Sequence, residues 1–95
     1  MPKVPGIPRY YHVMLKPKLG VSKEQVRTKV DLALDWFSYA DNCWILYTTS
    51  NAAKLYERFE NLVRPGGNLF ICRLDVSDRN GWITKELWGW LNKKR

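Results

Sequence analysis

Residues 36–48, WFSYADNCWILYT, decide how this chain folds. Ala40-Asp41-Asn42 in their middle has turn chemistry, because Asp and Asn bond their own backbone and tolerate unusual backbone angles. The run therefore divides into a short strand, Trp36 to Tyr39, and a longer one, Cys43 to Thr48. In the second strand Cys43, Ile45 and Tyr47 alternate with Trp44, Leu46 and Thr48, the period of two that a pleated strand imposes.

Upstream of this hairpin, Ser22 with Gln25 matches a capping box that opens a helix. Val26, Val30, Ala33 and Phe37 follow at helical spacing, with Lys23, Arg27 and Lys29 outward, and the helix is predicted to end near Leu34. Before it, Arg9 to Leu15 (RYYHVML) reads as a strand with Tyr11, Val13 and Leu15 on one face and Tyr10, His12 and Met14 on the other. Both faces are largely apolar, as a central strand requires. Pro17 and Gly20 end it. Residues 1–8 carry Pro2, Pro5 and Pro8, a spacing that blocks helix and favours an extended arm.

Downstream, Ser50 or Asn51 caps a second helix, in which Ala52, Leu55, Tyr56, Phe59, Leu62 and Val63 make an apolar stripe. Lys54, Glu57, Arg58 and Glu60 fall outside it, and Pro65-Gly66-Gly67 stops the helix. Leu69 to Val76 reads as the last strand. After a polar turn at Asp78 to Gly81, Thr84 opens a short helix with Leu87, Trp88, Trp90 and Leu91. The order β-α-β-β-α-β plus a C-terminal helical turn predicts an α+β fold, a ferredoxin-like two-layer sandwich on an antiparallel sheet. One domain, residues 9–95, follows the arm of residues 1–8.

Hydrophobic residues make up 45% of the 95 residues, enough for a core. Five Trp, five Tyr and three Phe are a heavy aromatic load that suits a small core or a partner interface. No apolar run nears the roughly 20 residues of a membrane span, and prolines interrupt any signal-like start, so the expectation is a cytoplasmic protein with no membrane partner. Cys43 and Cys72 lie in strand-like runs and read as core thiols. The net charge of +7 is loaded at the ends. Residues 1–30 hold seven basic side chains against Glu24, residues 31–92 six against eight acidic, and Lys93, Lys94 and Arg95 close the chain. Basic ends point to a polyanion partner, each neutralised phosphate releasing counterions, or they serve solubility.

The segment Trp36-Phe37-Ser38-Tyr39-Ala40-Asp41-Asn42-Cys43-Trp44-Ile45-Leu46 resembles the W-W-x-Y-L-D-x-T-W-L-I segment of SinR-like proteins, small bacterial proteins that are mostly uncharacterised. Gly81-Trp82-Ile83 with Leu87-Trp88-Gly89-Trp90-Leu91 resembles that family's Trp-rich C-terminus. The resemblance spans roughly residues 10–92, with these two segments its specific part. It implies kinship in fold with the small CRISPR-associated subunit that helps integrate spacers and with VapD-type toxin ribonucleases. Those relatives are homodimers, and some are metal-dependent nucleases. Their metal-binding Asp closes the first strand in a Tyr-Asp-Leu or Tyr-Asp-Ile context, where this chain has Met14-Leu15-Lys16-Pro17. A lysine repels a metal ion, so no metal site, no cofactor and no catalytic residue is expected.

His12, the one histidine, reads as structural, and Asp75 and Asp78 as turn formers. There is no phosphate-cradling loop. The expectation is a non-catalytic, homodimeric nucleic-acid-binding protein, with Lys3, Arg9, Lys16, Lys18, Lys23, Arg27, Lys93, Lys94 and Arg95 on phosphates. Trp82, Trp88 and Trp90 are the candidate interface: they stack on bases, or they cover one end of the sheet or pack across a dimer. Trp88 and Trp90, two apart on a helix, cannot both face the core. The alternative is a protein-interaction module, antitoxin-like or inhibitor-like, motivated by the aromatic excess and the proline arm. A ribonuclease with an unrecognised site, using Asp75 or His12, comes third.

Overall fold

A computed structural model describes residues 6–95. The elements are β1 (Arg9–Lys16), α1 (Lys23–Val30), β2 (Asp35–Ala40), β3 (Cys43–Thr48), α2 (Ala52–Val63), β4 (Asn68–Leu74) and α3 (Lys85–Leu91). The four strands form one antiparallel sheet in the order β2-β3-β1-β4, and α1 and α2 cover one face of it. The fold is thus a small α+β sandwich, with α3 on the opposite face. Of the predicted arm, Met1 to Pro5 lie outside the described residues.

Local chemistry accounts for most of the boundaries. The Ser22 N–H donates to Gln25 Oε1 at 2.7 Å and the Gln25 N–H to Ser22 Oγ at 3.2 Å, completing the capping box of α1. Asn51, rather than Ser50, caps α2, its Oδ1 accepting the Lys54 N–H at 2.9 Å. Asn42 holds φ 62° in the β2–β3 turn, a left-handed conformation that Asn tolerates.

Several expectations are corrected. α1 ends at Val30, not near Leu34. The Leu32 and Ala33 N–H groups bond carbonyls three residues back, and the Leu34 N–H already donates to the β3 carbonyl of Tyr47 at 2.9 Å. Sheet pairing therefore takes the chain before another helical turn can form. Phe37 consequently sits on β2 and not on the helical seam. β4 ends at Leu74, because its pairing with β1 ends at Tyr10↔Leu74. Cys72 is exposed and Cys43 only half-buried. Within the α2 stripe Tyr56 is 41% exposed and Ala52 is exposed, while Leu55, Phe59, Leu62 and Val63 are buried.

Two apolar clusters result, one on each side of the sheet. The larger joins Tyr11, Val13 and Leu15 of β1 with Leu46, Val26, Val30 and the buried face of α2. The smaller joins Ile45 to Leu87 and Trp90 of α3, with Tyr10, Phe37 and Tyr47 packed around them. Alternation along β1 therefore feeds both, as a central strand must.

Candidate nucleic-acid interface

Of the nine predicted phosphate-binding cations, the eight that are described do not form one surface. Lys3 lies outside the described residues. Arg9 and Lys16 stand at opposite ends of β1, which at about 3.3 Å per residue separates them by roughly 23 Å. Lys18 turns to the end of α2, where its Nζ donates to the Arg64 carbonyl at 3.1 Å. Lys93 Nζ lies 3.4 Å from Asp35 Oδ2 and Arg95 Nη2 3.2 Å from the same oxygen, so both face a carboxylate. Lys94 is exposed.

Lys23 and Arg27 remain together, and they border a groove of ≈ 430 Å³ between α1, the end of β1 and the β2–β3 hairpin. They lie four residues apart on the outward face of α1, where helical geometry makes them neighbours. Trp36 of β2, Trp44 of β3, Pro17, Val21 and Asp41 line the same groove. The Arg27 guanidinium stands over the Trp36 ring, 5.6 Å from its centroid. Trp36 is held by its indole N–H, which donates to Asp31 Oδ1 at 2.7 Å. The Leu15 N–H donates to the Asn42 carbonyl at 2.8 Å and pins the hairpin turn against β1, closing the groove's end.

The two tryptophans share a face because of an irregularity in the sheet. Trp36 pairs with Leu46 and Ser38 with Trp44, but Ala40 pairs with Cys43, so one extra residue is accommodated between Ser38 and Ala40. Such a bulge reverses which side chains point to which face. Here it puts Trp36 beside Trp44 under α1 and sends Phe37 and Tyr39 to the α3 side. Neither Trp36 nor Trp44 is among the site residues that the sequence alone suggests. The signal available was two tryptophans near a basic helix, but the register that unites them depends on the bulge.

The remaining predicted residues are distributed as follows. Trp82 is 102% exposed, Trp88 is half-buried, and Trp90 is 6% exposed, its surface covered within the chain. Trp88 and Trp90 do face different surroundings. His12 Nε2 lies 2.6 Å from Tyr39 Oη, and burial lowers its pKa below the ordinary value. Asp75 accepts from the Ser77 N–H at 3.1 Å, the hydrogen bonds of Ser77 holding its carboxyl below the usual range. Among the described residues no group of three His, Cys, Asp or Glu side chains gathers as metal ligands would. No helix of the described chain is long and apolar enough to cross a membrane. Compared with protein-family models, curated proteins and solved structures, the chain matches none.

Proposed function

We propose that this protein is a non-catalytic nucleic-acid-binding protein of the ferredoxin-like fold that holds a single strand in the α1–hairpin groove. One observation carries the reading: two cations, Lys23 and Arg27, and two half-buried tryptophans, Trp36 and Trp44, line one groove, whose rim also carries Asp41. Cations that track phosphates beside aromatic faces on which bases stack are the two parts of a single-strand site. A duplex keeps its base faces stacked and out of reach, so an unpaired strand suits indole platforms better. The net charge of +7 adds long-range attraction for any polyanion. The strand order β2-β3-β1-β4 is compatible with this class of fold, and the homodimer is what the resemblance to SinR-like proteins implies.

The homodimer is assigned to the part of the sheet that α3 leaves open. There Phe70 is 59% exposed beside Met14 and the exposed Cys72, and their cross-strand partners Cys43 and His12 are uncharged. Phe70→Lys is expected to shift a dimer to monomer in light scattering; a dimer unchanged by it would place the interface elsewhere.

Binding to short labelled single strands tests the main reading, with Arg27→Glu expected to weaken it at least tenfold. A protein-interaction module is the second reading, favoured by the fully exposed Trp82 (102%) and Leu19 (101%). A protein partner that co-purifies after nuclease treatment and is lost with Trp82→Ser would favour it, as would absent oligonucleotide binding.

A further inference from the structure

On the face of the sheet away from the groove, three aromatic rings and one carboxylate converge on a single guanidinium. Arg95 Cζ lies 4.4 Å from the ring centroid of Tyr47, 4.8 Å from that of Trp90 and 5.8 Å from that of Tyr10. Its Nε donates to Tyr10 Oη at 2.8 Å, and Nη1 and Nη2 each donate to Asp35 Oδ2 at 3.2 Å. The Arg95 side chain is only 15% exposed, against 55% for Lys93 two residues earlier.

The residues around Arg95 also contact one another directly. Tyr10 and Tyr47 are paired across β1 and β3, with ring centroids 5.0 Å apart. Trp90 is fixed by its indole N–H, which donates to Asp35 Oδ2 at 2.9 Å, and by edge-on contact with Tyr10 at 5.7 Å. Asp35 is oriented through its other oxygen, Oδ1, which accepts the Trp36 N–H at 2.8 Å. A cation ringed by aromatic faces gains from each ring quadrupole. The planar fork adds directional bonds to Asp35 and Tyr10 that an ammonium, a compact point charge, cannot make together.

We propose that Tyr10, Tyr47, Trp90 and Asp35 form a guanidinium-binding cage whose resting occupant is the chain's own Arg95, and that the cage accepts an arginine side chain of a protein partner when Arg95 is displaced. Arg95 is tethered three residues beyond Asn92, the cap of α3, so its effective concentration at the cage is high, on the order of millimolar for short tethers. A competing arginine must exceed that, which makes the site latched in the isolated chain. The cage is built on β1, β2, β3 and α3, and does not use the α1 groove.

The test is titration of Arg95→Ala with N-acetyl-arginine methylamide, followed by tryptophan fluorescence and by backbone NMR shifts at Tyr10 and Tyr47. Saturable shifts are expected, at least tenfold weaker in the native chain, absent with the lysine analogue and absent in the Arg95→Ala/Asp35→Asn double variant. Arg95→Met, which keeps the apolar stem, serves should Arg95→Ala lose its fold. Shifts equal for arginine and lysine analogues, or none up to tens of millimolar, would overturn the proposal and leave Arg95 as a fastening of α3.

Discussion

Burial lowers the pKa of His12, so near its ordinary value of about 6.5 the folded chain binds fewer protons than the unfolded one. The associated stability is fully present above that value and declines as pH falls towards the lower folded pKa. The urea midpoint is therefore expected to drop between about pH 7.5 and pH 5, with a smaller drop in His12→Gln. Asp35 acts in a more acidic window. Burial alone would raise its pKa, but the Trp36 N–H, Arg95 and Lys93 outweigh it and hold the carboxyl below its ordinary value. Its contribution is present above the unfolded pKa, about 4, and lost as pH falls through the folded one, so Asp35→Asn is expected to flatten the acid limb of the same titration. At the groove, base stacking on an aromatic ring contributes about 1–3 kcal/mol. Trp36→Leu keeps apolar cover over the core and removes the platform, and is expected to weaken single-strand binding about tenfold.

At the level of elements, caps and turns were legible and register was not. Ser22 with Gln25, the Asp41-Asn42 turn and the Pro65-Gly66-Gly67 stop announce themselves, because each is chemistry within a few residues. The helical face of α2 was legible at Leu55, Phe59, Leu62 and Val63, and Phe59→Ala, at a side chain with no exposure, is expected to cost about 3–5 kcal/mol in urea unfolding. The end of α1 is not legible in the sequence, because Ala33 and Phe37 continue the helical spacing while the backbone at Leu34 has already joined β3. The bulge between Ser38 and Ala40 left no local mark, yet it decides that Trp36 and not Phe37 faces α1. The two glycines after α2 make separate demands. A Cβ on Gly67 would run into the carbonyls of Lys16 and Val63, whereas Gly66 has open space around it and a φ of +98°. Gly66→Ala is expected to cost about 1–2 kcal/mol, the left-handed penalty, and Gly67→Ala more, since backbone must move.

Across the whole molecule, the charge that the sequence loads at its two ends is divided by the fold. Of the C-terminal cations, Arg95 turns inward to the aromatic cage and Asp35, Lys93 meets the same carboxylate from the surface, and Lys94 is exposed. Within the first thirty residues, Lys23 and Arg27 border the groove, Lys18 closes the end of α2, and Arg9 and Lys16 lie at the two ends of β1. A list of basic residues therefore held two that line the groove, and proximity in sequence could not separate them from the rest. The sheet's two faces are put to different uses as well. One carries the core and the groove, while the other carries α3, the cage and the open patch around Phe70.

We propose that the groove between α1 and the hairpin binds a single nucleic-acid strand. The measurement that tests it most directly is fluorescence anisotropy of labelled single-stranded DNA and RNA across a salt series, with the native chain, Arg27→Glu and Trp36→Leu side by side. Affinity is expected to fall with salt, with a slope reduced by roughly 0.7 for each lost phosphate contact in Arg27→Glu and a weaker but equally salt-dependent complex in Trp36→Leu. Binding absent at low salt, or binding that both variants leave unchanged, would contradict it.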